Sequence, residues 1–286
     1  MTTDSQPKAS RAGRDLPAAI GVGLALGVML IGVLAYVPRV WFAIVAVALA
    51  VATYEVAKRL REGGQQVALI PLLIGGQAII WSTWPWGPTG ALVAFAATAL
   101  VILVWKLFAQ GLSAAPQEFT RDAALSLLVL TWIPLMGVFA VDMVQQGVGD
   151  DPDGGRYRVF TFLIVLICSD VGGYTAGVLF GKHPMVPAIS PKKSWEGLGG
   201  SLLFSTIAAV CCAHWLLHTH WWVGLVLGPV LVIVGTCGDL IESQVKRDLG
   251  IKDMGTLLPG HGGLMDRLDS LLPGAFVTWA ILTALM

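Results

Sequence analysis

The sequence predicts an all-α, polytopic integral membrane protein with about nine transmembrane helices and a cytoplasmic amino terminus. Of its 286 residues, 56% are apolar and 13% are charged, whereas soluble domains carry about 25% charged residues. Apolar runs long enough to cross a bilayer recur along the whole chain. Lysine and arginine residues collect in alternate connections between these runs, as they do in membrane proteins of fixed orientation.

The runs that define the helices are each close to the length of about 17 to 25 residues that a bilayer requires. They cover residues 17–37, 40–57, 67–85, 88–108, 123–144, 159–181, 199–218, 221–241 and 271–286. We therefore divide the chain into three regions. These are a cytoplasmic tail (1–16), an amino-terminal transmembrane bundle (17–144) and a carboxy-terminal transmembrane region with polar loops (159–286).

The distribution of basic residues sets the orientation, because short loops rich in Lys and Arg stay in the cytoplasm. With the amino terminus inside, the inner segments hold 15 of the 18 Lys and Arg residues. The outer loops keep only Arg39, Arg156 and Arg158. This orientation places the loops at 182–198 and 242–270 on one cytoplasmic face, and the carboxyl terminus outside.

Charge is concentrated in the segment 239–269, which holds six acidic and four basic residues between two apolar runs. Such a concentration is costly beside a membrane unless it faces water or binds a charged ligand. A salt-bridged cytoplasmic loop would explain the near neutrality of the segment. It would not explain the glycine-rich run PGHGG (259–263) next to paired aspartates, so we interpret the segment as a functional site.

The spacing of polar residues in this segment suits a metal. If the eighth run continues as a helix, Asp239, Glu242, Ser243 and Lys246 share one face. A carboxylate and a hydroxyl one turn apart suit Mg²⁺ bound together with phosphate oxygens. The aspartates that open the last run, at 266 and 269, can supply a second carboxylate.

The same segment also has groups that suit phosphate. The glycines at 260, 262 and 263 would let backbone N–H groups approach a phosphate closely. Four basic side chains can neutralise a polyphosphate. They are Lys246, Arg247, Lys252 and Arg267. Together these features indicate metal-assisted phosphoryl or nucleotidyl transfer at a membrane surface.

Other polar positions are open to two interpretations. Asp170 lies about three turns inside a membrane run, where an ionisable group should face a polar cavity. The glycines at 173, 177 and 181 favour close helix packing. Lys192 and Lys193 form either a positive clamp at the membrane surface or an anion-binding loop. Glu55, with Lys58 and Arg59 one turn later, predicts a helix-end ion pair.

Two motifs in these segments resemble a known family. Ser243-x-x-Lys246-Arg247-x4-Lys252-Asp253, followed by PGHGG and Asp266-Arg267-x-Asp269, resembles the signature of phosphatidate cytidylyltransferases, also called CDP-diacylglycerol synthases. The segment SPKKSWEG (190–197) resembles the second motif of that family, with Ser in place of Thr at 194. The resemblance covers residues 165–286, and the first 150 residues match only in forming several spans.

The resemblance implies a helical membrane enzyme, acting as a homodimer, that joins CTP and phosphatidic acid into CDP-diacylglycerol and pyrophosphate. It implies Mg²⁺ held by Asp239, Ser243 and Asp266, with a second, monovalent cation such as K⁺ also allowed. It also implies a multi-pass protein of the cell membrane with its active site on the cytoplasmic side. No nucleic-acid partner is expected.

Residue chemistry and resemblance together assign the site. The predicted catalytic residues are Asp239, Asp266, Lys246, Arg247 and His261, the last in phosphate contact or proton transfer. The predicted substrate-binding residues are Asp170, Ser190, Lys192, Lys193, Ser194, Glu196, Lys252, Asp253, Gly262, Gly263, Arg267 and Asp269.

Two alternative functions compete with this hypothesis. A CTP-dependent polyprenol or phytol kinase would share the helical membrane architecture and act on an alcohol instead of phosphatidate. A transporter or channel would use Asp170 and the loop charges as an ion path, but the internal repeats typical of transporters are not visible in the sequence. The DG-x2-AR pattern of the CDP-alcohol phosphotransferases is absent from the chain.

Overall fold

The structure is a computed structural model that describes residues 31–113, 115–147, 151, 154–257 and 262–286, without the side chains of residues 38 and 39. Its elements are α1 (Pro38–Glu62), α2 (Leu69–Phe108), α3 (Phe119–Leu130), a π-helical turn (Thr131–Leu135), α4 (Phe139–Gln145), α5 (Gly155–Phe180), β1 (Pro184–Val186), β2 (Ser190–Ser194), α6 (Trp195–Cys211), a second π-helical turn (Cys212–Leu216), α7 (Trp221–Asp248), α8 (Met265–Leu268) and α9 (Leu271–Leu285).

Within the described residues, seven helical segments are long and apolar enough to cross a membrane. They are Val40–Glu62, Leu69–Phe108, Phe119–Gln145, Gly155–Phe180, Trp195–Leu216, Trp221–Asp248 and Met265–Leu285. The protein is therefore mostly helical and multi-pass, as predicted. The first predicted run, 17–37, falls mainly outside the described residues, so the total of nine spans stays a prediction.

The longest of these segments, α2, contains two of the predicted runs. A straight helix of its 40 residues would be about 60 Å long, roughly twice the thickness of a bilayer's hydrocarbon core. The backbone of Gly87 is non-helical, with φ 55° and ψ −149°. Lys106 Nζ donates to Gln66 O, and Gly75 packs against Thr98. The two halves of α2 therefore lie side by side as an antiparallel hairpin that turns at Gly87.

One hydrophobic core joins the amino-terminal bundle to the polar segment that follows α7. Buried Leu49 and Val56 of α1 belong to the same cluster as Met254 and Met265. These methionines flank the glycine-rich run, and both are no more than 1% exposed. The predicted regions 17–144 and 159–286 are thus in direct contact beneath the candidate site.

Helices α5 and α6 approach each other closely through small residues. A β-carbon added to Gly172 would lie 2.6 Å from Gly200 O, and one added to Gly173 would lie 2.4 Å from Ser201 Oγ. The packing role predicted for Gly173 is therefore confirmed. Close approach of this kind matters in a membrane, where apolar burial alone does not favour helix association over lipid.

The purely helical prediction is wrong in one place. Strands β1 and β2 form an antiparallel pair, with Pro184 opposite Ser194 and Val186 opposite Ser190. Prolines at 184, 187 and 191 interrupt this segment, and proline in a helix interior removes a hydrogen bond and clashes with the preceding turn. The result is a short hairpin (residues 184–194) that carries Lys192 and Lys193.

Candidate active site

A cavity of about 650 Å³ lies between α5, the hairpin, α6, α7 and the start of α8. It brings together residues from both predicted motifs. From α5 and the hairpin, the lining includes Asp170, Lys192, Lys193 and Ser194. From the charged segment 239–269, it includes Asp239, Glu242, Lys246, Lys252, Asp253, Asp266, Arg267 and Asp269. Asp170, predicted to face a polar cavity, lines this one.

Two contacts attach the hairpin to α7. Lys193 Nζ lies 2.5 Å from Asp239 Oδ2. Arg247 Nη2 donates to the carbonyl of Ile189 at 3.4 Å. The hairpin that carries the lysines therefore meets the charged segment 239–269, here called the signature segment. This contact favours the anion-binding interpretation over a clamp that only faces lipid headgroups.

The helix α7 extends past the membrane run to Asp248, so the predicted polar face is present. Ser243 Oγ donates to Asp239 Oδ1 at 3.3 Å. One turn further, Lys246 Nζ donates to Glu242 Oε2 at 2.7 Å. A single helical face thus supplies two carboxylates and an ammonium to the cavity, while the predicted metal ligand Ser243 lies beside them, outside the cavity lining.

Asp266 shapes the backbone of the signature segment as well as facing Lys246. Its Oδ1 accepts a hydrogen bond from Lys246 Nζ at 2.9 Å. Its Oδ2 accepts from the N–H groups of Gly263 at 2.8 Å and Met254 at 2.9 Å. Gly262 is left-handed, with φ +83°, and a β-carbon there would lie 3.1 Å from Asp266 Oδ2. Glycine at 262 therefore allows the tight turn over this carboxylate.

Three carboxylates converge next to the pair formed by Asp266 and Lys246. Asp239, Glu242 and Asp269 each place one oxygen within 4.8 Å of the others. Glu242 is 1% exposed, and among the described residues its Oε1 has no hydrogen-bond partner. Like charges this close raise the free energy of the site unless a cation or a proton compensates them. Oxygen ligands of this kind suit a hard divalent cation, so the residues fit a Mg²⁺ site.

Several predicted residues lie beside the cavity rather than in its lining. Ser190 begins β2, and Ser194, which does line the cavity, also caps α6 by accepting from Gly197 N at 3.1 Å. Glu196 pairs with the exposed His183, whose Nδ1 lies 2.6 Å from Glu196 Oε1. Gly263 contributes through its hydrogen bond to Asp266. The prediction for His261 lies outside the described residues.

Two residues matter more than their sequence context indicated. Glu242 was placed on the correct face but was not predicted as a metal ligand, because burial cannot be seen in helical spacing. Glu55 was predicted to pair with Lys58 and Arg59, yet both bases pair with Glu62, at 3.9 and 2.8 Å. Glu55 is buried and accepts from the N–H of Met265 at 2.9 Å.

Comparison with known proteins places the chain in a family. A family model described as "Cytidylyltransferase family" matches residues 17–285. A Mycobacterium bovis protein named phosphatidate cytidylyltransferase is 53% identical over 284 residues, covering 96% of this chain and 91% of the relative. A Mycobacterium leprae protein of the same name is 51% identical over 286 residues, covering 96% and 90%. This chain therefore belongs to the cytidylyltransferase family.

Proposed function

We propose that this chain is a phosphatidate cytidylyltransferase, which joins CTP and phosphatidic acid into CDP-diacylglycerol and pyrophosphate. The observation that carries this proposal is the meeting of two motifs in one cavity, where Lys193 lies 2.5 Å from Asp239. The basic hairpin suits the phosphates of CTP and of the lipid, and the acidic helical face suits the cation that accompanies them. Both lie at the end of apolar helices, where a lipid substrate can reach them. The names of the mycobacterial relatives support the same reaction.

The cavity's basic side chains are suited to the CTP phosphates. Lys192, Lys193, Lys252 and Arg267 all line it. Charge-assisted hydrogen bonds from such groups to phosphate are about twice as strong as neutral ones. Because Lys193 pairs with Asp239 in this structure, a bound phosphate would compete with that carboxylate for the ammonium. Exchange of partners by Lys193 is then part of substrate binding.

We assign the divalent cation, Mg²⁺, to the converging carboxylates of Asp239, Glu242 and Asp269. When bound, the metal would draw electron density from phosphate oxygens and neutralise the leaving pyrophosphate. The set implied by family resemblance, Asp239, Ser243 and Asp266, shares Asp239 with this one, and Asp266 lines the same cavity. The ammonium of Lys246 lies between Glu242 and Asp266, so a second cation such as K⁺ would have to compete with it.

In this reaction the residues chiefly have to align the lipid phosphate with the α-phosphorus of CTP and to neutralise the negative charge of the phosphates. An oxygen of the lipid phosphate attacks the α-phosphorus of CTP. The bond from that phosphorus to the oxygen that bridges it to the β-phosphorus breaks, and this oxygen leaves as part of pyrophosphate. The attacking phosphate oxygen is already anionic, so no strong general base is required. Fixed positive groups on the cavity wall would lower the barrier by opposing the charge that develops.

The charge distribution of the chain supports one orientation in the membrane. We propose that the site faces the cytoplasm, with nine spans, a cytoplasmic amino terminus and a homodimeric assembly in the cell membrane. The excess of Lys and Arg in the inner connections supports the orientation. The family resemblance supports the dimer. A cysteine replacing Ser194, in a background without native cysteines, should react only with reagents that reach the inside of the cell.

The proposed reaction is tested with purified protein, Mg²⁺, CTP labelled in the cytidine or in the γ-phosphate, and phosphatidic acid in mixed micelles. We expect a cytidine-labelled lipid and one pyrophosphate for each lipid formed. Asp239→Asn should form little product, whereas Glu62→Gln, an exposed carboxylate on α1, should match the wild type. Transfer of the γ-phosphate to a polyprenol or phytol would instead indicate the kinase alternative.

A further inference from the structure

Helix α1, in the amino-terminal bundle, holds the signature segment through two long-range hydrogen bonds. Glu55 Oε2 accepts from the N–H of Met265 at 2.9 Å, across 210 residues of sequence. One turn later, Arg59 Nε donates to the carbonyl of Met254 at 2.9 Å, across 195 residues. The two contacts bind the segment at Met254 and Met265, one on each side of its glycine-rich run in the sequence.

The carboxylate of Glu55 fills the space that two glycines leave open. A β-carbon on Gly255 would lie 2.1 Å from Glu55 Oε1, and one on Gly263 would lie 2.7 Å from Oε2. The same added carbon on Gly263 would be 2.5 Å from Gly255 N. Glu55, Gly255 and Gly263 therefore pack tightly together at the point where the signature segment returns on itself.

These contacts involve the same backbone that holds Asp266. Met254 offers its carbonyl to Arg59 and its N–H to Asp266. Gly263 packs against Glu55 and donates its N–H to Asp266. Met265, which donates to Glu55, directly precedes Asp266 in the chain. A shift of Glu55 would thus be transmitted to the carboxylate that meets Lys246 in the cavity.

Glu55 has no ion-pair partner among the described residues, although it is only 8% exposed. Desolvating a carboxylate in this way is costly unless hydrogen bonds compensate. The carboxylate lies outside the cavity lining, so direct contact with substrate does not account for it. Its contacts are with the main chain of the signature segment, which indicates a role in holding that segment.

We propose that Glu55 is a positioning residue for cytidylyl transfer. Its carboxylate fixes the backbone at Gly255, Gly263 and Met265, and thereby sets Asp266 against Lys246. This inference rests on the proposed function and extends it, because it assigns a role in the reaction to the amino-terminal bundle. The spans before residue 144 then do more than anchor the enzyme in the membrane.

The test compares Glu55→Ala and Glu55→Gln with Glu118→Ala, which removes an exposed carboxylate before α3 that pairs with Arg121. A displacement of about 1 Å at a catalytic group can cost about a hundredfold in rate, so we expect Glu55→Ala to lower kcat by roughly that factor, with a smaller change in the KM for CTP. Glu55→Gln keeps an oxygen that accepts the Met265 N–H, and it should retain most of the activity. Glu118→Ala should behave as the wild type.

Hydrogen exchange gives a readout independent of turnover. Glu55→Ala should speed exchange at the amides of Met254, Gly263 and Met265, while Glu118→Ala should leave them protected. Gly255→Ala would push on the Glu55 carboxylate and should lower kcat as Glu55→Ala does. It replaces Glu55→Ala as the test variant if Glu55→Ala does not insert into the membrane. The two changes combined should cost little more than either alone.

The proposal is overturned if Glu55→Ala keeps normal kcat and normal exchange in the signature segment. It is also overturned if Glu55→Gln is as inactive as Glu55→Ala, because a backbone acceptor does not need the charge. Failure of the proposed function would look different. In that case the wild type itself would make no CDP-lipid, while the exchange measurement would still report whether Glu55 holds the segment.

Discussion

Two groups of charged side chains in this protein differ in how completely their members are paired. In the first, Lys106 Nζ lies 3.2 Å from Asp122 Oδ2, and the two side chains are 8% and 5% exposed. Asp122 Oδ1 also accepts from Gln66 N at 3.2 Å and lies 3.3 Å from Arg121 Nη2. Both carboxylate oxygens of Asp122 therefore have partners. This paired joint, formed by Lys106, Asp122, Gln66 and Arg121, holds the helical hairpin of α2 against α3.

The second group lines the cavity, among other charged side chains, and is incompletely paired. Asp239, Glu242 and Asp269 converge within 4.8 Å, and within the described part of the chain Glu242 Oε1 lacks a hydrogen bond. Lys193 and Lys246 compensate part of this charge. A membrane protein can thus bury acids to hold helices together, or leave them under-compensated so that a cation and phosphates complete the site.

The largest effect on activity is expected when charge is removed from the cavity, because only this one of the two groups is incompletely paired. We expect Asp239→Asn to lower kcat by about a hundredfold or more, as for other losses of electrostatic stabilisation. Folding should survive, because an amide is nearly isosteric and one of three mutually repelling charges is removed. The double variant with Asp269→Asn should be scarcely worse than either single variant, since the carboxylates act as a unit. Near-normal turnover in both single variants would refute the shared site.

Comparing Asp269→Asn with Asp266→Asn distinguishes the two candidate sets of metal ligands. If Asp269 holds the metal, its amide variant should need about tenfold more Mg²⁺ for half-maximal activity, in the range seen when metal sites are weakened. Asp266→Asn should mainly slow turnover, because its carboxylate supports the backbone of Met254 and Gly263. The reverse pattern, with Mg²⁺ demand raised by Asp266→Asn alone, would favour the set implied by family resemblance.

A smaller effect is expected for the hairpin lysines. Replacing Lys192 and Lys193 together with Gln should raise the KM for CTP by about tenfold, the cost of one or two charge-assisted phosphate contacts. Membrane insertion should be unchanged. Lys182→Gln is the control, because Lys182 is exposed before the hairpin and does not line the cavity. An unchanged KM for CTP would return the hairpin lysines to the role of a positive clamp.

The paired joint should show the smallest effect on activity. Asp122→Asn leaves Lys106 buried without its counter-charge, and breaking a buried ion pair in this way costs about 3 kcal/mol of stability. The folded fraction should nevertheless turn over at the normal rate. Thermal unfolding and activity per folded molecule separate the two quantities. A large loss of kcat would mean that the joint is coupled to the site.

The sequence was sufficient to select most of the charged residues that line the cavity, but not to show how the candidate site is built. Charges between apolar runs, and the helical spacing of Asp239, Glu242 and Lys246, correctly predicted one polar face on α7. The meeting of Lys193 with Asp239 was also within reach, because the loop 182–198 and the end of the run 221–241 that holds Asp239 were assigned to one side of the membrane. The role of Glu55 was not, since a contact across 210 residues leaves no local pattern. The hairpin was missed because its strands have only three and five residues.

The claim that the cavity carboxylates form a cation site is tested most directly by Mg²⁺-dependent thermal unfolding of the wild type, Glu242→Gln and Asp122→Asn. A ligand that binds only the folded state adds about 2.7 kcal/mol of stability at a hundred times its Kd. We expect Mg²⁺ to raise the Tm of the wild type and of Asp122→Asn by the same increment, from a lower starting point in the variant. Glu242→Gln should start at or above the wild type and gain little. Equal gains in the wild type and Glu242→Gln would contradict the account.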